Sequence, residues 1–275
     1  MIGESGVLAP VKYDHAPAAQ TPALLRVTDV AVRFGGIIAL DGVSFDIEPG
    51  QILGLIGPNG AGKTTLFNCL SRIYVPSAGD IVFEGRSILK RPAHRMAEIG
   101  IGRTFQNLAL FLQSSVLDNV MIGGHTRGRS DFLSDALGLP WARRSDHALR
   151  ADAMELIDYL GLAEVADKPV AGLPFGTQKR VELARALASK PKLLLLDEPA
   201  CGLNHEEVEG LGDLIRDIRA KRSVTILLVE HHMSLVMAIS DKVVALDFGR
   251  KIAEGTPAQV QTDEAVVRAY LGAAR

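Results

Sequence analysis

Short apolar runs alternate with amphipathic segments along most of the chain, and this alternation predicts a mixed α/β fold. The apolar runs have the length and composition of strands that are buried on both faces of a parallel sheet. They cover residues 51–56, 193–196 and 224–229. The amphipathic segments between them are predicted helices, and they cover residues 64–73, 178–189 and 206–220.

Shorter strands are predicted on both sides of this pattern. They cover residues 25–32, 44–47 and 81–83 in the first third of the chain, and residues 242–247 and 251–253 near its end. Turn signals separate them, including Gly35-Gly36 and Glu48-Pro49-Gly50.

The stretch from residue 107 to residue 170 has a helical pattern. Helices are predicted at residues 114–121, 133–139 and 149–160, with a loop at 123–131. We interpret 107–170 as a helical insertion in an α/β core that comprises 24–106 and 171–275. Residues 1–23 are rich in Ala and Pro and show no period, which predicts a flexible N-terminal extension.

Composition narrows the class of protein without giving a function. The chain has 275 residues, 47% of them hydrophobic, which is enough for a substantial core. Its 30 basic and 32 acidic residues give a formal net charge of −2, so charge gives no reason to expect nucleic-acid binding. Cys69 and Cys201 have neither disulfide-framework nor zinc-ligand spacing and favour a reducing compartment. No apolar run approaches the ~20 residues that span a bilayer, and the start lacks a secretory pattern, so we expect a cytoplasmic protein.

A glycine-rich segment directly follows the first buried run and matches G-x-x-x-x-G-K-[ST]. Backbone N–H groups of such a loop surround phosphate oxygens, and the start of the following helix adds positive potential. Lys63 can reach the β- and γ-phosphates, and the Thr64 hydroxyl can bind Mg²⁺. The predicted ligands are therefore phosphate groups and Mg²⁺. The predicted phosphate-binding residues, which the family resemblance given below assigns to ATP, are Gly57, Pro58, Asn59, Gly60, Ala61, Gly62, Lys63, Thr64 and Thr65.

Two carboxylates, Asp197 and Glu198, end the buried run at 193–196. Asp197 is predicted to lie near Mg²⁺, and Glu198 to face the attacking water as a general base. His231 follows another buried run by two positions, so it is expected at the same carboxyl edge of a parallel sheet. His232 lies beside it, and spacing alone does not separate the two histidines.

Taken in order, these motifs resemble the ATP-binding subunits of ABC transporters, and the resemblance covers residues 24–275. It also includes Arg103-Thr104-Phe105-Gln106 and a signature segment. That segment comprises Leu173, Pro174, Phe175, Gly176, Thr177 and Gln178. The resemblance implies a P-loop NTPase core of the RecA-like type with a mostly parallel sheet, an antiparallel β subdomain and an inserted helical subdomain.

The resemblance also implies roles for single residues. Gln106 would sense the γ-phosphate and would bind Mg²⁺ together with Thr64 and Asp197, while Glu198 and His231 would complete the catalytic set. Phe34 would stack on adenine, although a core position is the alternative from sequence alone. The signature segment would cap the nucleotide of an opposite subunit, so that a complete site forms only in a dimer.

Three positions depart from the commonest family pattern. Pro174 and Phe175 stand where the signature usually has Ser and Gly, which removes a hydroxyl contact to phosphate. Backbone N–H groups near Gly176 would take over that contact. Asn204 stands where an Asp is usual and removes a charge from the loop after the acids.

The variants LPFGTQ, DEPACGLN and VEHHM, with residues 268–272 (RAYLG), are similar to those of the ATP-binding subunits of branched-chain amino acid importers. The long stretch 123–150 favours that branch over the similar ATPase of lipopolysaccharide export. The importer branch implies two transmembrane permease subunits, an external substrate-binding protein and a second ATP-binding subunit. A related chain is the expected second subunit, with an identical copy as the alternative. The chain would then lie peripherally on the cytoplasmic face of the inner (plasma) membrane.

Two other classes of protein share some of these motifs. A soluble ABC ATPase of repair or translation usually fuses two ATPase halves or carries long coiled coils, whereas this chain has one set of motifs and no heptad run. A P-loop kinase would not need Gln178 or a water-directed Glu198. Both classes are therefore less favoured than the transport ATPase.

Overall fold

The computed structural model describes residues 22–105, 108–125 and 140–272. Gln106, the helix predicted at 133–139 and most of the predicted N-terminal extension lie outside the described residues. In chain order the strands and α-helices are β1 (Leu25–Phe34), β2 (Ile37–Ile47), β3 (Ile52–Ile56), α1 (Lys63–Leu70), β4 (Ala78–Phe83), β5 (Arg86–Ser87), β6 (Ile101–Arg103), α2 (Val116–Gly124), α3 (Pro140–Tyr159), α4 (Phe175–Ala188), β7 (Leu193–Asp197), α5 (His205–Arg222), β8 (Thr225–Val229), α6 (Met233–Ile239), β9 (Lys242–Asp247), β10 (Arg250–Gly255), α7 (Pro257–Thr262) and α8 (Glu264–Gly272).

The larger sheet has six strands in the order β10-β9-β3-β8-β7-β6. All neighbours are parallel except β10, which pairs antiparallel with β9. Every residue of β3, β7 and β8 is buried, as their nearly all-apolar sequences predict. Because these strands are parallel, their carboxyl ends share one edge of the sheet, where the phosphate loop, the acid pair and His231 follow them.

The smaller sheet is antiparallel, with the order β2-β1-β4-β5. A turn at Gly35-Gly36 joins β1 to β2 and pairs Phe34 with Ile37. Together the two sheets confirm the predicted fold class, a mostly parallel core with an antiparallel β subdomain.

The large sheet separates two hydrophobic clusters, because alternate residues of each strand face opposite sides. In β3, Leu53 and Leu55 pack with α1 and the small sheet. Ile52 and Ile56 belong to the other cluster, which also contains the apolar faces of α2 and α3. These two helices lie within the segment that was predicted to be a helical insertion, and they pack against each other and against α4.

Several predicted boundaries were wrong. β2 begins at Ile37, seven residues before the prediction, because pairing with β1 orders a segment whose own pattern is weak. α4 begins at Phe175, because Pro174 has a φ of −54° and serves as its N-cap. α2 continues through Gly124, so the predicted loop at 123–131 begins too early. The short elements β6, α6, α7 and α8 were not predicted, since too few residues show a period.

In the ranges that the structure describes, no helix combines the length and apolar character needed to cross a membrane.

Candidate active site

The phosphate loop requires glycine at two places. Gly57 has a φ of +151°, and a Cβ there would lie 2.3 Å from the carbonyl oxygen of Leu246. Gly62 has a φ of +102°, and its Cβ would lie 2.7 Å from the carbonyl oxygen of Ala39. Any larger residue would push the loop away from the neighbouring backbone, so both glycines fix its path.

Lys63 is the first residue of α1 and is buried. Its Nζ donates hydrogen bonds to the carbonyl oxygens of Gly57 at 2.7 Å and Pro58 at 3.0 Å. Burial lowers the pKa of the Lys63 amine, and the nearby Glu198 carboxylate opposes that shift. The amine is therefore held against its own loop, within the segment predicted to bind phosphate.

A cavity of about 540 Å³ joins the loop to catalytic candidates from other strands. The lining combines the start of β2 and the loop with two side chains that follow β7 and β8. Its residues are Ile37, Ile38, Ala39, Asn59, Gly60, Ala61, Gly62, Lys63, Thr64, Thr65, Glu198 and His231. The structure thus brings nine of the sequence-predicted site residues to one space, namely Asn59 to Thr65, Glu198 and His231, whereas Phe34, Gly57, Pro58, Asp197 and the signature segment do not line it.

Glu198 and His231 are in direct contact. The Nε2 atom of His231 lies 2.7 Å from Oε1 of Glu198, and the Glu198 backbone N–H donates to the carbonyl oxygen of Val229 at 2.9 Å. The neighbouring register of β7 and β8 produces this contact, since Asp197 pairs with Val229. His232 is exposed and does not line the cavity, so the geometry favours His231 over His232.

Asp197 is only 3% exposed and forms an ion pair with Arg103, whose Nη2 lies 2.9 Å from Oδ2. The Nη1 of the same arginine donates to Asn68 and Ser71, which ties the acid to the end of α1. Burial raises the pKa of Asp197, and the hydrogen bond from Arg103 opposes that shift. Sequence reasoning quoted Arg103 as part of a motif but missed this partner.

The donors near the loop fit Mg²⁺. This ion keeps several waters and takes few protein oxygens, together with substrate phosphates. The Thr64 hydroxyl and the Asp197 carboxylate are oxygen donors of that kind. Among the side chains of the described ranges, no group of three His, Cys, Asp or Glu could hold a metal by itself. Thr64 lines the cavity and Asp197 is held by Arg103, so these two side chains would supply few protein oxygens to Mg²⁺ beside the phosphates of a nucleotide.

Phe34 is 47% exposed, so it is not the core residue that the sequence left as an alternative. Its ring meets Tyr74 edge to face, with centroids 5.2 Å apart. Its paired residue Ile37 lines the cavity. An exposed aromatic ring at this hairpin remains the candidate for stacking on adenine.

The unusual residues of the signature segment have local partners. Gly202, in the loop after the acids, has no room for a side chain, because an added Cβ would lie 2.8 Å from the Phe175 ring. Gln178 Nε2 donates to the Leu173 carbonyl oxygen at 2.8 Å. Asn204 caps α5 in a reciprocal hydrogen-bond pair with Glu207. Phe175 thus lies against the loop that follows the acids, and Asn204 serves as a helix cap at the end of that loop.

Two buried glutamates near the site were missed by sequence reasoning. Glu182 accepts the backbone N–H of Phe105 at 2.9 Å, and burial raises the pKa of its carboxyl group. Glu230 accepts backbone N–H groups from both loops that flank the Glu198–His231 pair. Glu230 could have been noticed as an acid at the end of an apolar run. Glu182 has no comparable local signal.

Comparison with known families agrees with this geometry. Residues 40–201 match the ABC transporter family, and the chain belongs to this family of ATP-binding ATPase subunits. Residues 250–275 match a further family, described as branched-chain amino acid ATP-binding cassette transporter.

Individual relatives cover nearly the whole chain. It is 41% identical to the high-affinity branched-chain amino acid transport ATP-binding protein BraF of Pseudomonas aeruginosa, over 91% of this chain and 98% of that protein. It is 40% identical to LivG of Escherichia coli strain K12, which has the same description, over the same shares. A solved ATP-binding cassette of an ABC transporter in its ADP conformation has a TM-score of 0.79 and 29% identity, covering 92% of this chain and all of that one.

Proposed function

We propose that this chain is the ATP-hydrolysing subunit of an ABC importer for branched-chain or related amino acids. The observation that carries the hydrolytic part is the cavity in which Glu198 and His231 face the loop of Lys63 and Thr64. The cargo rests on the relatives BraF and LivG, and on the family match at residues 250–275.

ATP binding uses the segment Gly57 to Thr65 and the aromatic ring of Phe34. Loop N–H groups and the Lys63 amine bind the phosphates, and Phe34 stacks on the base. When bound beside the Thr64 hydroxyl and Asp197, Mg²⁺ supplies positive charge that offsets the phosphate oxygens. Gln106, as a γ-phosphate sensor and Mg²⁺ ligand, is part of the same proposal.

Hydrolysis uses the contact between Glu198 and His231. With Glu198 ionised, Nε2–H of His231 donates to Oε1 and holds the carboxylate in one orientation. The other carboxylate oxygen accepts a proton from the attacking water. The His231 ring is 45% exposed, so it can also reach the γ-phosphate when the site closes.

A second ATP-binding subunit completes each site. The signature segment 173–178 lies at the start of α4, where Pro174 ends the preceding extended chain. Helix N–H groups there offer phosphate contacts without the usual serine hydroxyl. The partner is a related chain, with an identical copy as the alternative, and closure of the pair over two nucleotides precedes hydrolysis.

Two permease subunits dock on the insertion side of the chain. Residues 107–170 form the insertion, and residues 24–106 and 171–275 form the core.

A groove of about 570 Å³ supports the docking of permease subunits here, because it lies between the insertion and the core. Exposed apolar side chains of Phe105, Phe111 and Ile122 line it. Phe105 immediately precedes Gln106, so movement at the γ-phosphate reaches the groove directly. The chain then lies on the cytoplasmic face of the membrane, and an external protein delivers the amino acid.

The deciding experiment deletes this subunit and measures uptake of labelled leucine together with lipopolysaccharide export. Leucine uptake is expected to fall to background and to return with the wild-type chain but not with Glu198→Gln. Normal uptake with failed lipopolysaccharide delivery would replace the importer by the exporter. Loss of neither would favour a soluble ABC ATPase.

A further inference from the structure

The end of the chain contacts the start of the phosphate loop. The phenolic oxygen of Tyr270, in α8, accepts the backbone N–H of Gly57 at 2.8 Å. The two residues are 213 positions apart. Tyr270 belongs to residues 250–275, which match the family described as branched-chain amino acid ATP-binding cassette transporter. This segment therefore contacts the phosphate loop, a motif that many kinds of phosphate-binding protein share.

The helix that carries Tyr270 is firmly anchored. Thr256 and Gln259 cap α7 reciprocally, and Val260 of α7 is buried. Asp263 then accepts the N–H of Ala265 at 2.8 Å at the start of α8. Val266 in α8 is also buried. These contacts hold the hydroxyl at a fixed place rather than on a free tail.

The N–H of Gly57 needs an acceptor at this point. Gly57 is buried, and the ladder of β3 ends one residue earlier, at Ile56. A buried backbone donor without a partner is costly. The hydroxyl of Tyr270 meets this need, and burial raises the pKa of that hydroxyl, so it stays protonated and neutral at physiological pH.

The same glycine is tied on its other side to Lys63. The carbonyl oxygen of Gly57 accepts Nζ of Lys63 at 2.7 Å, and the Leu246 carbonyl leaves no room for the loop to move inward. Tyr270, Gly57 and Lys63 thus form one chain of hydrogen bonds from α8 to the phosphate-binding amine.

We infer that the Tyr270 hydroxyl is a positioning group for the phosphate loop, through which the C-terminal segment sets the affinity for ATP. This inference rests on the proposed ATP site at residues 57–65. Tyr270 touches no phosphate itself, because it acts through the backbone of Gly57. The aromatic ring alone would fill the same space, so the hydroxyl is the group to test.

The test compares Tyr270→Phe with Tyr159→Phe in the full chain. Tyr159 is a matched control, because its hydroxyl also makes a hydrogen bond, to Asp217 at 2.6 Å, and lies in α3. The dissociation constant of ATP with Mg²⁺ is measured by calorimetry, and hydrolysis is measured at saturating ATP. Tyr270→Phe is expected to weaken ATP binding about 3- to 10-fold, the effect of one lost hydrogen bond, and to leave saturated hydrolysis within about twofold. Tyr159→Phe is expected to bind ATP as the wild type does.

Three results would overturn the inference. The first is an affinity of Tyr270→Phe for ATP within twofold of the wild type. The second is an equal loss of ATP affinity in Tyr159→Phe. The third is a fall in the unfolding temperature of Tyr270→Phe that is the same with and without ATP. Lys63→Ala in the same titration separates this inference from the proposed site. If Lys63→Ala binds ATP normally, the site assignment is wrong. If Lys63→Ala weakens binding and Tyr270→Phe does not, only the role of Tyr270 is wrong.

Discussion

Glu230 joins the two loops that carry the catalytic candidates, and its removal is expected to weaken both the fold and hydrolysis. The side chain is 1% exposed. Its Oε1 accepts the N–H of Ala200 at 2.6 Å, and its Oε2 accepts the N–H groups of His231 at 2.8 Å and His232 at 3.1 Å. The first contact lies in the loop after Glu198, and the other two hold the loop of His231.

The magnitude follows from these three contacts. Glu230→Ala removes the acceptor of three backbone donors, one in a buried and two in part-buried hydrogen bonds, and a buried donor without a partner costs about 1–3 kcal/mol. Neighbouring losses do not add fully, so the expected fall in unfolding free energy is about 3–5 kcal/mol. Many domains keep a folded state after such a loss. Glu230→Gln keeps one carbonyl oxygen but turns its NH₂ group toward donors, so a smaller loss of about 1–3 kcal/mol is expected.

Hydrolysis is expected to fall more than ATP binding, since Glu230 makes its hydrogen bonds to the loops of Ala200 and His231, which carry the Glu198–His231 pair. A decrease in kcat of about tenfold or more is expected for Glu230→Ala, with a dissociation constant for ATP within about threefold, because misplaced catalytic groups lower the rate rather than the affinity. Urea unfolding, calorimetry with ATP and steady-state hydrolysis measure the three quantities on the full chain.

Asn119→Ala is the matched control. Asn119 is fully buried in α2 and also makes three hydrogen bonds to backbone groups, of Phe111 and Ser115. Asn119→Ala is expected to lower the free energy of unfolding by about 2–4 kcal/mol without changing kcat, because Asn119 does not line the cavity of Lys63 and Glu198. Equal losses of kcat in the Asn119 and Glu230 variants would refute the reasoning, since the effect would then follow stability alone.

Buried Cys69, buried Glu182 and the signature residue Pro174 each give a further prediction. Burial raises the pKa of Cys69 to about 11, whereas Cys201 is exposed. Iodoacetamide at pH 8 is therefore expected to label one thiol in the native chain and both thiols in urea. Labelling of both thiols in the native chain would contradict this prediction. Because burial raises the pKa of Glu182, its contribution to stability is fully present below the unfolded value of 4.5 and is lost as pH rises through the folded pKa. Glu182→Gln keeps an acceptor for the N–H of Phe105, so this variant should gain stability relative to the wild type as pH rises above 4.5. Urea unfolding at several pH values measures this, and a stability difference that does not change with pH would contradict the prediction. Pro174→Ser is expected to change ATP hydrolysis by less than about threefold, because the proposed phosphate contact is made by helix N–H groups rather than by a side chain. A large gain in activity would show that the missing hydroxyl matters.

The parts of the candidate site whose location follows from the sequence share one physical origin. The phosphate loop, Glu198 and His231 each follow an all-apolar run, and parallel strands bring their carboxyl ends together. A local motif and one rule of sheet topology were enough to place these residues around a single cavity.

The groups that position the site could not be predicted in the same way. Tyr270 and Gly57 are 213 residues apart, and Glu182 and Phe105 are 77 apart. Such contacts depend on how α4 and α8 pack after folding, and no period in the sequence encodes them. The start of β2 shows the same limit on a smaller scale, since pairing with β1 rather than its own pattern makes it a strand.

The most direct test of the central claim is ATP hydrolysis by Glu198→Gln alongside equilibrium ATP binding by the same protein. The change keeps the size of the side chain and removes the proposed base, which faces the loop of Lys63. The account predicts an unchanged affinity for ATP and a rate of hydrolysis at least ~100-fold lower than wild type, as expected for the loss of a general base. Turnover at the wild-type rate in this variant would contradict the assignment of Glu198 and, with it, the proposed catalytic site.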